Sequence, residues 1–141
     1  MIAKIALSIS IVAGGLVPPV SIAQAKHDRM YPVEVPASAL CPQWWQTAVD
    51  VGWRKSLLPT LDYLMWRESR CLPDQHNTKD PVGGSRGLVQ VNGFWTPWLV
   101  SKGIVKRSEG LFGPKRNLRA ALAIYNYADA RYDNGFGPWG M

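Results

Sequence analysis

Between residues 57 and 70, apolar side chains recur at Leu57, Leu58, Leu61, Leu64 and Met65, the spacing of one helix face. Pro59 fits only the first turn of such a helix, and Leu72-Pro73 stops it. The next stretch, Asp74 to Asn92, is polar and holds Pro81, Gly83, Gly84 and Gly87, so it reads as loops or a small hairpin. A second apolar stripe then appears at Leu118, Ala121, Leu122, Tyr125 and Ala128, with Asn117 placed to cap it and Asn134-Gly135 to end it. Shorter helices are expected over Pro42–Val51, closed by Gly52, and within Trp95–Val105, with a break at Gly110, Gly113 and Pro114. The chain contains no internal repeat. The fold class is α+β, predominantly α-helical, with a small β or loop insertion in the middle.

The N-terminus reads as an address. Lys4 precedes an apolar run from Ile5 to Val17, and Ala23-Gln24-Ala25 offers the small residues that a signal peptidase reads. Residues 1–25 are expected to be a cleaved secretory signal, the alternative being an anchor that is never cut. Residues 26–40, with Pro32 and Pro36, read as a flexible tether, and residues 41–141 as the domain. Beyond the signal, no apolar run reaches the roughly 20 residues that span a bilayer. Stable membrane insertion after cleavage is therefore not expected, and the protein is placed outside the cell or in the periplasm.

Export gives the charge and the cysteines their meaning. The whole chain carries 16 basic and 10 acidic residues, a net +6, of which Lys4 leaves with the signal. A basic exported domain suits anionic surfaces such as a cell wall. Nucleic acid is not an expected partner, because the basic residues are scattered and the chain is exported. In an oxidising compartment the isolated pair Cys41 and Cys71 is most simply one disulfide, the alternative being two buried free thiols. With two cysteines and two histidines, His27 and His76, a multi-ligand zinc site is not expected, and no cofactor is called for. A monomer is expected.

One residue breaks the first stripe. Glu68 lies four residues after Leu64 and three after Met65, so it shares their face. A carboxylate there is normally excluded unless paired or functional, and the i+4 position is Leu72, not a base. Glu68 also falls in the last helical turn, where the macrodipole disfavours negative charge. An acid that keeps its proton near neutral pH can protonate a glycosidic oxygen. The alternative is a frayed helix end with Glu68 in water beside Arg67 or Arg70.

The local sequence resembles the soluble lytic transglycosylase and goose-type lysozyme group. The resemblance rests on Trp66-Arg67-Glu68-Ser69-Arg70, on Gly87-Leu88-Val89-Gln90-Val91, on Tyr125-Asn126, and on the closing Gly137-Pro138-Trp139. It implies a lysozyme-like fold and cleavage of the β-1,4 bond between N-acetylmuramic acid and N-acetylglucosamine in peptidoglycan glycan strands. It also implies that Glu68 is the single catalytic acid and that Ser69 supports it. Gln90 would line the glycan cleft, and Tyr125 would bond near the catalytic carboxylate. The chain departs from the pattern at three positions. Val89 stands where methionine is usual, Asp80 where many members have serine near the N-acetyl group, and Asn92 where goose-type lysozymes often have aspartate.

A conventional glycosidase needs two carboxylates. The resemblance implies that one suffices here, with the substrate's N-acetyl carbonyl attacking the anomeric carbon. Glu68 would first give a proton and then take one from the 6-hydroxyl, closing a 1,6-anhydro ring. Asn92 cannot act as a base, which favours this route. Asp80 could activate water, which would give lysozyme-type hydrolysis, or could simply cap a loop before Pro81. Trp95, Trp98 and Trp139 are the candidates for stacking on sugars, whereas Trp44, Trp45, Trp53 and Trp66 are expected in the core. A wall-binding protein of the same fold without turnover is the reading from another class.

Gly83 to Gly87 is not a phosphate loop, for lack of a following Gly-Lys-Ser/Thr. The stretch Asp74 to Asp80 lacks the glycine and downstream glutamate of a calcium loop.

Overall fold

The structure is a computed structural model and describes residues 32–141. The expected signal, residues 1–25, lies outside the described residues, as does the first part of the tether.

Four α-helices carry the domain: α1 (Trp45–Val51), α2 (Leu58–Ser69), α3 (Thr96–Ser101) and α4 (Pro114–Tyr132). Short 3-10 turns precede or join them, at Pro42–Trp44, Lys55–Leu57, Gly93–Trp95, Ser108–Phe112 and Gly137–Trp139. Between α2 and α3 lies an antiparallel sheet of three two-residue strands, β1 (His76–Asn77), β2 (Ser85–Arg86) and β3 (Val91–Asn92), in the order β1-β2-β3. His76 pairs with Arg86, and Ser85 with Asn92. The architecture is α+β and predominantly helical, with the small β insertion where the glycines and prolines stand.

The helix α4 is the axis of the core. Its buried face is Leu118, Ala120, Ala121, Ile124, Tyr125 and Ala128. Three alanines on that face let neighbouring elements approach closely. α1 packs here through Trp45, Ala48 and Val49, and Gly52 closes α1 at φ 109°, a left-handed cap suited to glycine. Trp53, 2% exposed, donates its indole N–H to the Leu118 carbonyl at 3.0 Å. α2 adds Leu58, Leu61, Leu64 and Met65.

Cys41 and Cys71 form a disulfide with their Cα atoms 5.4 Å apart, joining the chain before α1 to the end of α2. Beside it, Asp62 is 5% exposed and accepts from the Leu40 and Cys41 N–H groups and the Trp45 indole at 2.7–2.8 Å. This buried carboxylate, fully satisfied by three donors, locks the entry of the domain onto α2. Part of the expected tether touches the domain. Val33 N–H donates to Gln46 Oε1, and Val33 and Ala39 pack against the core.

Several expectations need correction. α2 ends at Ser69, before Leu72-Pro73, because Arg70 (φ 56°) and Cys71 (φ 66°) both turn left-handed. Asn117 does not cap α4, which begins at Pro114. It is fully buried one turn in, and its amide serves the neighbouring loop instead. Asp133, left-handed at φ 54°, closes α4 ahead of Asn134-Gly135. Trp66 is not core but 37% exposed, with the Arg70 guanidinium 4.0 Å above its ring. Among the described residues, no helix is long and apolar enough to cross a membrane.

Candidate active site

Glu68 is the penultimate residue of α2, and its side chain is 25% exposed. It does not stand alone on the apolar face. Arg67 donates to it through Nε at 2.9 Å and Nη2 at 2.7 Å, so the cation missing at i+4 comes from the preceding residue. Both donors converge on Oε1. The same Nη2 also donates to the Trp139 carbonyl.

The backbone around this carboxylate is unusual. Arg70, Cys71 and Gln90 (φ 49°) are non-glycine residues in the left-handed region, each costing about 1–3 kcal/mol. Two of them follow Ser69 directly, and the third lies in the loop that Ser69 binds at Leu88. The rest of the structure holds them there. Cys71 is tied by its disulfide and donates its N–H to the Met65 carbonyl at 3.3 Å, while the Arg70 side chain bonds the Trp66 carbonyl at 3.0 Å.

The loop Gly87-Leu88-Val89-Gln90 lies against the end of α2 and is fixed by three side chains from three elements. Ser69, 4% exposed, shares its hydroxyl proton between the Leu88 carbonyl at 2.8 Å and the Met65 carbonyl at 3.0 Å. Asn117 Oδ1 accepts from Val89 N–H at 3.1 Å, and its Nδ2 donates to the Arg86 and Leu111 carbonyls, each at 2.9 Å. The Trp139 indole donates to the Val89 carbonyl at 2.8 Å. Gly87 is required at this junction. It sits at φ 81°, and a Cβ there would lie 2.2 Å from Asn117 Nδ2 and 2.3 Å from the Leu111 carbonyl. The structure thus joins the Glu-Ser pair, the Gly-Leu-Val-Gln segment and the Gly-Pro-Trp tail, which are far apart in sequence.

Other expected residues are placed differently. Gln90 uses both amide hydrogens internally, toward the Gln75 and Gly87 carbonyls, so only its Oε1 remains for a ligand. Asn92 is a clamp within the insertion. Its Oδ1 accepts from Phe94 N–H and its Nδ2 reaches the Pro81 carbonyl, both at 2.9 Å. Asp80 accepts from Asn77 Nδ2 at 2.9 Å in the turn before Pro81. Tyr125 is buried against Trp53 and Phe136, with Arg54 as its hydrogen-bonding partner. Burial, and then the charge of Asp129, pushes its phenol above the ordinary value, while Arg54 opposes them.

Against the tail runs a groove of about 810 Å³ lined by Phe94, Trp95, Trp98, Tyr127, Tyr132 and Pro138, among others. Trp95, Trp98 and Tyr127 meet edge to face with centroids 5.6–5.8 Å apart. Two of the three expected cleft tryptophans therefore line one groove. Trp139 does not line it and serves as the bolt between tail and loop. Sequence reasoning missed Tyr127, Tyr132 and Phe94. The signal for Tyr127 was its place outside the apolar stripe of α4, where a large aromatic gains little from solvent. Among the described residues, no three His, Cys, Asp or Glu side chains gather as a metal site would need.

No protein-family model, no curated protein and no solved structure matches the chain.

Proposed function

We propose that the protein is an exported enzyme that cleaves peptidoglycan glycan strands at the β-1,4 bond between N-acetylmuramic acid and N-acetylglucosamine. The reading names it a lytic transglycosylase of lysozyme-like fold. The observation that carries it is a helix-terminal glutamate, 25% exposed, whose neighbours Arg67 and Ser69 tie it to the C-terminal tail and to the loop Gly87–Gln90. In the first step Glu68, protonated on Oε2, gives its proton to the glycosidic oxygen while the N-acetyl carbonyl of the substrate attacks the anomeric carbon. In the second, the Glu68 carboxylate takes the proton of the 6-hydroxyl, whose oxygen displaces the N-acetyl oxygen and closes the 1,6-anhydro ring. Ser69 acts by holding the Leu88 carbonyl to the end of α2. The groove aromatics offer flat apolar faces to sugar rings.

Two observations support the one-carboxylate route over lysozyme-type hydrolysis. Asn92 is committed to the insertion's own backbone, and Asp80 is tied to Asn77 in a turn. The disulfide supports an oxidising compartment, secreted or periplasmic. The Arg67 pair favours a second reading, in which Glu68 is structural and the groove binds glycan without cutting it. Digestion of purified peptidoglycan with mass spectrometry of the products separates the readings. Anhydromuramyl ends support transglycosylation, reducing ends alone indicate hydrolysis, and bound but intact strands indicate a binding protein.

A further inference from the structure

Adjacent side chains on a helix diverge by about 100°, so an i, i+1 pair does not ordinarily meet. Arg67 and Glu68 meet nonetheless, through two hydrogen bonds. Something must draw the guanidinium around the helix, and the contact that does so is the Trp139 carbonyl, which accepts from the same Nη2. The grip on Glu68 is also one-sided. A guanidinium usually forks across both oxygens of a carboxylate, but here both donors fall on Oε1.

The segment supplying that carbonyl is itself fastened at several points. The Trp139 indole N–H donates to the Val89 carbonyl, and the Trp139 backbone N–H donates to the Phe136 carbonyl at 3.0 Å. Phe136 stacks on Trp53 and meets Tyr125 edge-on at 4.8 Å. Gly135 lies so close to Tyr125 that a Cβ would be 2.3 Å from the ring. Asn134 Nδ2 donates to the Met141 carbonyl at 3.0 Å. Residues 134–141 thus form a strap from the core to the end of α2.

We propose that Arg67 is a positioning residue, clamped by the Trp139 carbonyl so that it fixes Oε1 of Glu68 and presents Oε2 to the substrate. The inference rests on the reading of Glu68 as the acid. It makes the C-terminal strap part of the active machinery, because the strap sets where Arg67 points. Misplacing a reacting group by about 1 Å can cost on the order of 100-fold. The loss should fall on turnover, since Nε and Nη2 of Arg67 and the strap carbonyl are engaged with Glu68 and with each other.

The test is steady-state cleavage of soluble glycan strands by the full chain and by Arg67→Ala, Arg67→Lys, Trp139→Phe and Glu68→Gln. Arg67→Ala should lower kcat by about 10- to 100-fold with KM within about twofold. Arg67→Lys keeps the charge but not the two-donor edge, and should recover only part of the loss. Trp139→Phe keeps the ring and loses the indole donor, and should lower kcat in the same direction by a smaller factor. Guanidinium chloride at tens of millimolar should partly restore Arg67→Ala and leave Glu68→Gln inactive, which a purely structural role for Arg67 would not produce. Full kcat in Arg67→Ala, or a loss confined to KM, overturns the proposal while the Glu68 reading stands. Should Arg67→Ala fail to fold, full turnover by Arg67→Lys overturns it equally. Retained cleavage by Glu68→Gln removes the acid reading itself, and the positioning role with it.

Discussion

Asn117 offers the sharpest test of how the loop is held. Its side chain is fully buried and makes three hydrogen bonds, to Val89 N–H and to the Arg86 and Leu111 carbonyls. In Asn117→Ala all three backbone groups lose this partner, the Val89 N–H and the Leu111 carbonyl at buried positions. A buried group left unsatisfied costs about 1–3 kcal/mol. With some relaxation the total is about 3–5 kcal/mol, which for a domain of this size lowers Tm by roughly 12–20 °C. Asn117→Asp is the informative companion. It keeps an acceptor for Val89 N–H but turns a negative oxygen toward two carbonyls, so it should lose at least as much as alanine. Urea unfolding followed by tryptophan fluorescence gives the difference, with the slope m checked to be constant. A loss below about 1 kcal/mol in Asn117→Ala would refute the view that this amide holds Gly87–Gln90 in place.

Other consequences can be checked with single variants. Gly87→Ala should destabilise strongly and change the near-UV spectrum, since its methyl would meet Asn117 and the Leu111 carbonyl; a native-like melt contradicts the packing described. Reducing the Cys41–Cys71 bridge, or Cys41→Ser with Cys71→Ser, should cost about 3–4 kcal/mol for a separation of 30 residues, read by urea midpoint. Tyr125 holds its proton more tightly when folded than unfolded, so its contribution is intact below about pH 10 and fades as pH rises past that. Tyr125→Phe should therefore flatten the alkaline fall in Tm, and an unchanged slope argues against it. Trp98→Ala should raise KM for glycan by about 5- to 10-fold, near 1.0–1.4 kcal/mol, with little change in kcat; an unchanged KM would remove the groove from substrate binding.

Much of the frame was legible in the residues, for reasons that are local. Leu58 to Met65 and Leu118 to Ala128 repeat at helical spacing, and Pro59 and Gly52 mark boundaries by their own stereochemistry. The disulfide followed from two cysteines in a chain read as exported. What escaped was non-local. Asn117 looks like a cap because asparagine favours caps, yet its partners are 6 to 31 residues away and known only once the loop packs. Arg67 was expected beside Glu68 only if the helix end frayed, because neighbours on a helix diverge, and the carbonyl that redirects it comes 72 residues later. The left-handed turns at Arg70, Cys71 and Gln90 carry no glycine to announce them. Two-residue strands have too little pattern for alternation to show. Asp62 hid because a carboxylate bonded to backbone N–H groups leaves no motif.

The account stands on Glu68 as the group that moves the proton. Purified peptidoglycan treated with the native chain and with Glu68→Gln, a substitution that keeps shape and removes the acid, measures this directly as soluble muropeptides released over time. The account predicts release by the native chain and a fall of at least about 1000-fold in the variant, with an unchanged melting temperature. Equal release by the two proteins, or none by either, would contradict it.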